Sequence, residues 1–249
     1  GGWFVILLAL MIAPLVFVAM VAVRPAEHAR SVALLGSLVS VILGLVAWRQ
    51  FDVAAGGTPD QLALSLEWLP ALGIELSLGV DSVSLLMILL SCLLGPLCVL
   101  GSWAAIRQDQ RTFFGWLLGL QAALVGVFAA RDLMVFYICF EFTLVPMYIL
   151  ISRFGSTNRR AAGTKFFLYT FTGSLVALAG LVYVVWFSAQ LTGSWSLQIP
   201  LLAESAREMS ITQQGWVMAA LLAGFAVKVP VFPFHTWLPL AHTEAPTAG

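Results

Sequence analysis

Long apolar runs dominate the chain, and the short segments between them hold most of the charged and turn-forming residues. A helix needs about 20 apolar residues to cross the hydrocarbon core of a membrane. The first run has no basic segment before it and no evident cleavage site, so it predicts a spanning helix rather than a removed signal. The pattern predicts seven spanning helices: Trp3–Val23, Ser31–Trp48, Ser82–Ala105, Thr112–Ala130, Leu133–Ser152, Thr164–Ala189 and Gln214–Leu238.

A different spacing occurs between the second and third of these helices. Every second residue is apolar over residues 62–68 and again over residues 74–80, and Pro70–Gly73 lie between the two stretches. Alternation with a period of two on both sides of a Pro/Gly turn predicts a β-hairpin over about 62–80. Asp81 follows the hairpin and is a suitable N-cap for the third spanning helix.

The composition agrees with a membrane environment. Of the 249 residues, 61% are hydrophobic and 10% are charged, and the mean hydropathy is +0.98. A soluble domain could not cover so much apolar surface, whereas acyl chains solvate it in a bilayer. The net charge is zero, so nothing in the charge balance indicates nucleic acid as a partner.

Lys and Arg are distributed unequally between alternate connecting segments. The segments after helices one, three and five hold eight of them: Arg24, Arg30, Arg107, Arg111, Arg153, Arg159, Arg160 and Lys165. The segments after helices two, four and six hold three: Arg49, Arg131 and Arg207. Because cytoplasmic loops are enriched in these residues, the N-terminus is predicted to lie outside. The hairpin and the acids around it then fall on the outer face: Asp52, Asp60, Glu67 and Glu75.

Glu141 is one of two charged residues that lie well inside a predicted span. Nine residues after Asp132, at 1.5 Å per residue, place it about 14 Å deep in a core of about 30 Å. A carboxylate there costs at least about 2.5–3.5 kcal/mol, so it must bind a proton or find a partner. Pro146 cannot donate to the carbonyl of Phe142, so a kink is predicted next to Glu141.

Lys228 is the second charged residue inside a span, and three prolines follow it: Pro230, Pro233 and Pro239. Prolines this close together predict a discontinuous helix, whose freed backbone groups can line a wet cavity where ions cross. His235 is seven residues after Lys228, about two helical turns, so both would face one cavity if the breaks preserve the helical phase. The unperturbed pKa of imidazole suits proton exchange between the cytoplasm and the membrane interior.

Glu141 and Lys228 together can hold a proton in two states. Hydrocarbon disfavours a charged lysine, and a neighbouring carboxylate favours it, so separation of the pair would let the lysine release its proton. Two simpler interpretations stay open: a static ion pair that only fixes helix packing, and a His235 that only bonds an interfacial carbonyl. Asp132 is best explained as an N-cap or as the partner of Arg131.

No metal or cofactor site is predicted from the sequence. Cys92, Cys98 and Cys139 lie inside apolar runs at spacings that match no metal site, and they are interpreted as small core residues. Phosphate-binding glycine loops and nucleophile motifs are also missing from the sequence. The predicted fold class is an all-α polytopic membrane protein of about seven transmembrane helices, with one discontinuous helix and an extramembrane β-hairpin.

Three long stretches carry a resemblance to the antiporter-like subunits of respiratory complex I, and to the chain M type in particular. The stretch Phe225–Gly249 reads FAVKVPVFPFHTWLPLAHTEAPTAG and resembles the most recognisable segment of these subunits. The stretch Asp132–Ile151, DLMVFYICFEFTLVPMYILI, is similar to the glutamate helix of chain M. The stretch Leu78–Trp103, LGVDSVSLLMILLSCLLGPLCVLGSW, resembles its third helix.

The resemblance implies a membrane-arm subunit of a proton-pumping NADH:quinone oxidoreductase in a bacterial inner membrane. Glu141 would match the glutamate of the family's fifth helix, Lys228 the lysine of its seventh, and His235 the histidine after that lysine. Redox chemistry in other subunits would drive protons through these residues. Flavin, iron–sulfur clusters and ubiquinone are expected on those subunits and no cofactor on this chain. Its implied partners are the other complex I membrane subunits, the lipid bilayer and protons, and the hairpin matches an element that joins neighbouring subunits.

Members of this family have roughly twice as many helices, in two inverted repeats. The chain from Gly1 to Gly249 is therefore expected to be part of a longer protein with a partial antiporter-like fold. Residues 1–111 would form three helices with the hairpin, and residues 112–249 the first part of a repeat. Two other functions stay open: a subunit of a multisubunit Na⁺/H⁺ antiporter or membrane-bound hydrogenase, which share the lysine helix, and a structural membrane scaffold. The residues Val145–Tyr148 (VPMY) favour the complex I version.

Overall fold

A computed structural model describes residues 5–54 and 61–249. The predicted start of the first helix at Trp3 and the predicted outer-face acid Asp60 lie outside these residues. The helices are α1 (Ile6–Val23), α2 (Ala29–Gln50), α3 (Ser82–Gly101), α4 (Gln110–Ala129), α5 (Leu133–Phe142), α6 (Leu144–Phe154), α7 (Arg159–Thr192), α8 (Ile199–Arg207), α9 (Ile211–Lys228) and α10 (Leu238–Glu244). The strands are β1 (Gln61–Leu69) and β2 (Ile74–Val80), and 3-10 turns cover Ala26–His28, Pro70–Leu72 and Phe234–Trp237.

Six helical segments in the described residues are long and apolar enough to cross a membrane. They are α1, α2 with its preceding turn, α3, α4, α5 together with α6, and α7, and they correspond to the first six predicted spans. The seventh predicted span, Gln214–Leu238, is divided into α9, a turn and α10, so the discontinuous helix is confirmed. The chain is therefore a multi-pass membrane protein.

Two helices differ from the prediction. Helix α7 has 34 residues and extends beyond both predicted ends at Thr164 and Ala189. At 1.5 Å per residue it is about 50 Å long, more than a hydrocarbon core of about 30 Å requires. Helix α8 was not predicted, because its nine residues are too few to span and only one of its faces is apolar.

Helix α4 lies at the centre of the bundle. Of its apolar window, 67% is buried inside the chain, compared with 22–33% for the other spanning segments. The outer helices expose leucines and valines instead, as expected where acyl chains solvate the surface. Small residues allow the closest approach between helices, because Gly173 of α7 and Gly224 of α9 have no room for a Cβ.

The predicted hairpin is present as an antiparallel pair in which Leu66 lies opposite Leu76 and Gln61 opposite Val80. Strand β2 is largely buried, with Leu78 and Val80 at 1% and 0% exposure, whereas β1 is largely exposed. The hairpin thus packs one strand on the bundle and leaves the other at the surface.

Connecting segments gather on the two faces that the alternation of helices predicts. On one face the amide of Arg131 donates to the carbonyl of Ser77 at 2.8 Å, and the amide of Leu197 donates to that of Gly73 at 3.2 Å. These bonds join the connections after α2, α4 and α7. On the other face, Arg153 forms an ion pair with Asp109, with 2.6 Å between Nη2 and Oδ2.

Substitution of Gly73 should loosen the hairpin. Gly73 has φ +64° and a Cβ there would collide with the carbonyl oxygen of Trp195. Gly193 has a similar φ of +75° but open space around it, which makes it a matched control. We expect backbone strain to lower the free energy of unfolding by about 1–3 kcal/mol in both Gly73→Ala and Gly193→Ala. The clash with Trp195 adds a further loss in Gly73→Ala alone. Protease cleavage in the hairpin should rise much more in the first variant, and equal cleavage in the two would contradict the clash.

Candidate functional site

Glu141 lies where one spanning segment is broken in two. Helix α5 ends at Phe142 and α6 begins at Leu144, so the helix is interrupted next to Glu141, just before Pro146, while the kink itself stays a prediction. The hydroxyl of Thr143 donates to the carbonyl of Phe140 at 2.7 Å, which satisfies one carbonyl near the break. Both carboxyl oxygens of Glu141 are buried, and within the described residues neither has a hydrogen-bond partner.

Lys228 is the last residue of α9, and its side chain reaches Phe140, the residue before Glu141 in α5. Its Nζ lies 3.3 Å from the centre of the Phe140 ring and 3.5 Å from the carbonyl oxygen of Phe140. The close packing of α9 on α7 fixes its position, because Gly224 and Val227 contact Gly173. The C-terminus of a helix also favours a cation electrostatically, so the end of α9 suits an ammonium group.

Glu141 and Lys228 are neighbours that do not touch. Glu141 exerts a coulombic effect on Lys228, yet no ion pair within 4.0 Å joins these two described residues. Phe140, next to Glu141 in the chain, binds the ammonium with its ring and its carbonyl instead. The arrangement therefore corresponds to a pair of charged groups that are not in direct contact.

His235 lies in the 3-10 turn Phe234–Trp237, and its ring centre is 5.6 Å from that of Phe232. Its Nδ1 is buried and has no hydrogen-bond partner in the part of the chain that the structure describes. The chain leaves the helical path after Lys228, so the two-turn spacing does not align His235 with Lys228, and no hydrogen bond or ring contact joins these two described residues. Trp237 fixes the fold-back by donating from Nε1 to the carbonyl of Val227 at 2.8 Å.

Sequence reasoning missed two side chains beside Glu141. Phe140 contacts Lys228, and Tyr137 lies one helical turn before Glu141, with its hydroxyl 3.4 Å from the carbonyl oxygen of Ser174 on α7. The spacing of four between Tyr137 and Glu141 was a usable signal, because residues four apart share a helix face. The ring contact of Phe140 had no such signal, since it depends on how α5 and α9 pack.

Two aspartates on the hairpin side cap the helices that follow them. Asp81 accepts from the amide of Ser84 at 2.7 Å, and this bond lowers the pKa of Asp81 despite partial burial. Asp132 caps α5 by accepting from Met134 and Val135 at 2.8 and 3.3 Å, which confirms the N-cap interpretation. Asp132 is fully buried. Loss of water around its carboxyl raises the pKa of Asp132, although the amides that donate to it act in the opposite direction.

The described residues contain no group of three or more His, Cys, Asp or Glu that could hold a metal ion. Cys92, Cys98 and Cys139 are free thiols. The expectation that redox cofactors reside on other subunits stays a prediction.

Comparison with known proteins identifies the family. Residues 62–127 match the family described as NADH-ubiquinone oxidoreductase chain 4, amino terminus, and residues 130–249 match NADH:quinone oxidoreductase/Mrp antiporter, transmembrane. The chain belongs to the chain 4, or subunit M, family of NADH:quinone oxidoreductase. These matches cover all three stretches on which the resemblance rested.

Other members of the chain 4 family align over most of the chain. It is 38% identical over 243 residues to F(420)H(2) dehydrogenase subunit M of Methanosarcina mazei, an alignment that covers 96% of the chain and 48% of that protein. It is 38% identical over 221 residues to NADH-ubiquinone oxidoreductase chain 4 of Arabidopsis thaliana, covering 88% and 43%. The chain thus spans about half the length of these relatives, and it corresponds to their N-terminal half.

A solved structure shows the same fold. A chain of respiratory complex I from Thermus thermophilus superimposes with a TM-score of 0.79 at 31% identity, over 96% of this chain and 47% of that one.

Proposed function

We propose that this chain is part of the membrane-arm subunit M of a proton-pumping NADH:quinone oxidoreductase, and that protons pass through Glu141, Lys228 and His235. Redox chemistry in the other subunits, which hold the flavin, iron–sulfur clusters and quinone, supplies the energy. The observation that carries the proposal is the buried carboxyl of Glu141, which has no hydrogen-bond partner in the described structure. An ionised carboxyl without a partner is costly in hydrocarbon, so Glu141 must take up a proton or gain a partner, and a cycle between these two states moves a proton.

The geometry favours proton transfer over a static ion pair. A pair retained for packing would be expected in direct contact, with its remaining polar atoms satisfied. Here the ammonium contacts the ring and the carbonyl of Phe140 rather than the carboxyl, and both residues lie at breaks in helices, where freed backbone groups can bind water. His235, with its own unpartnered Nδ1, takes the step nearer the cytoplasm, with water molecules bridging the gap to Lys228.

The proposed location is the cytoplasmic membrane of a bacterium, with the N-terminus outside. The excess of Lys and Arg after helices one, three and five supports this orientation. The clustering of the other three connections around the hairpin supports placing them on one common face. The partners are neighbouring membrane subunits of the complex, lipid and protons.

A second candidate is a subunit of a multisubunit Na⁺/H⁺ antiporter or membrane-bound hydrogenase. One observation favours it: the family matched by residues 130–249 includes the Mrp antiporters as well as NADH:quinone oxidoreductases. The match of residues 62–127 to the chain 4 amino terminus favours the first candidate. Co-purification of the full-length protein with flavin and iron–sulfur subunits would support the oxidoreductase, and co-purification with other small membrane subunits alone would support the antiporter.

Glu141→Gln in the complete complex tests the proposal. The amide keeps the shape of the side chain but cannot exchange a proton, so we expect pumping in inverted vesicles to fall at least about tenfold. Coupled oxidation of NADH should fall with it, while electron transfer to an artificial acceptor and the amount of assembled complex stay unchanged. The control is Glu204→Gln on the exposed face of α8. Pumping at the wild-type rate in the Glu141 variant would remove the assignment.

A further inference from the structure

Tyr137 has a hydrogen bond that it can give up at little cost. Its hydroxyl donates to the carbonyl of Ser174 at 3.4 Å, longer than the usual 2.5–3.0 Å for an O–H donor. Ser174 lies inside α7, where its carbonyl also accepts the amide four residues later. Loss of the contact with Tyr137 would therefore leave no buried carbonyl without a donor.

Glu141, close to Tyr137, is a group that needs a hydrogen-bond donor. Tyr137 and Glu141 are four residues apart in α5, so their side chains lie on one face of the helix. The Tyr137 hydroxyl and the Glu141 carboxyl lie close enough to influence each other, but no hydrogen bond of good geometry reaches either Glu141 oxygen in the described structure. A side-chain rotation can carry the hydroxyl from Ser174 to Glu141 without moving the backbone.

We propose that Tyr137 is a positioning residue whose hydroxyl donates to Ser174 while Glu141 is protonated and to Glu141 while it is ionised. A carboxylate is a much stronger acceptor than a carbonyl that is already bonded, so ionisation of Glu141 attracts the donor. The inference rests on the proposed function, because it assumes that Glu141 exchanges a proton during turnover.

The exchange would also reach the lysine helix. Ser174 follows Gly173, which packs against Val227, the residue before Lys228. A change in the bond between α5 and α7 therefore acts next to the contact that holds Lys228 in place. Tyr137 would link the charge of Glu141 to the α7–α9 interface.

A purely packing role for Tyr137 has to be separated from this one. The ring lines an apolar cavity of about 520 Å³ between α5 and α7, together with Tyr183 and Trp186. Tyr137→Phe keeps the ring in this cavity and removes only the hydroxyl, so it separates the hydrogen bond of the hydroxyl from the packing of the ring. Tyr148→Phe on α6, where the ring packs edge-on against Phe167, is the matched control.

Infrared difference spectroscopy of the complete complex tests the inference directly. Ionisation of Glu141 should produce its carboxyl signal together with a tyrosine band that is lost in Tyr137→Phe and kept in Tyr148→Phe. The tyrosine band should also disappear in Glu141→Gln, because the hydroxyl then has no carboxylate to attract it. A tyrosine band that persists in Glu141→Gln, or that survives Tyr137→Phe, would overturn the proposal.

Pumping provides a second readout. We expect Tyr137→Phe to pump at least about fivefold more slowly, since a hydrogen bond to a charged group is lost, and to add nothing in the Glu141→Gln background. If Tyr137→Phe pumps at the wild-type rate while Glu141→Gln is defective, the proposed role of Tyr137 is refuted and the proposed function is not. Wild-type pumping in Glu141→Gln would refute the proposed function itself.

Discussion

Lys228→Ala in the complete complex is expected to lower proton pumping at least about tenfold while the complex still assembles. The substitution removes the cation that Phe140 binds and that interacts with Glu141. Without the ammonium, an ionised Glu141 has no compensation in hydrocarbon and should stay protonated through the cycle. The measurement is acidification of inverted vesicles at matched amounts of assembled complex.

Lys228→Arg separates proton transfer from simple charge balance. Arginine keeps a positive charge and can bind the ring and carbonyl of Phe140, but it does not release its proton in proteins. We therefore expect Lys228→Arg to pump as poorly as Lys228→Ala, although its stability should be nearer that of the wild type. Wild-type pumping in the arginine variant would mean that Lys228 only balances the charge of Glu141.

The matched control for both variants is Lys165→Ala. Lys165 lies near the start of α7. Its Nζ is 5.7 Å from the centre of the Tyr169 ring. Removal of a lysine at the predicted cytoplasmic surface should leave pumping within about twofold of the wild type, because solvent screens the charge. An equal loss in all three variants would point to a general effect of lost basic residues.

The positions of Glu141 and Lys228 in broken helices could be predicted from the sequence, and the physical reason is local. A charge inside an apolar run is costly wherever the run packs, and a proline removes a helical hydrogen bond in any context. The hairpin could also be predicted from the sequence, because its apolar residues recur with a period of two, unlike those of the flanking helices. The structure confirms both breaks and the hairpin.

The relation between Glu141 and Lys228 could not be predicted, because it depends on packing between distant segments. The contact of Lys228 with Phe140 requires α9 to approach α5, and Gly173 and Gly224 set that approach through α7. The alignment of His235 also depended on tertiary structure, since helical phase is lost wherever the chain turns between two helices. Prolines show that a helix is interrupted but not which way the chain continues.

The same two positions show why each half-helix end lies next to a charge. Helix α9 ends at Lys228, where the partial negative charge of a C-terminus favours an ammonium. Glu141 lies in the last turn of α5, and the N-terminus of α6 follows directly, so the opposite partial charges of the two helix ends nearly cancel there. The lysine is therefore stabilised by its own helix, whereas the carboxyl depends on Tyr137, Lys228 or water. This asymmetry suits a site in which Glu141 is the group that changes its environment.

Asp132→Ala is expected to destabilise the hairpin face severely, by roughly 3 kcal/mol, because three backbone amides, one buried and two partly buried, lose their acceptor. The Oδ2 of Asp132 accepts from the amide of Glu75 in β2 at 3.1 Å, and Oδ1 accepts from Met134 and Val135 at the start of α5. One side chain therefore joins the hairpin to the helix that carries Glu141. The measurement is the temperature at which the assembled complex loses this subunit, with protease cleavage in the hairpin as a local readout.

Asp81→Ala is the control for a lost cap, because Asp81 also begins a spanning helix, but its side chain is half exposed and its main backbone donor is the amide of Ser84. Its loss should cost about 1 kcal/mol. Asp132→Asn should fall between the two alanine variants, since the amide keeps one acceptor for Met134 and Val135 but presents a donor towards Glu75. Equal thermal stability of the two alanine variants would show that Asp132 acts only as a helix cap and not as the attachment of the hairpin to α5.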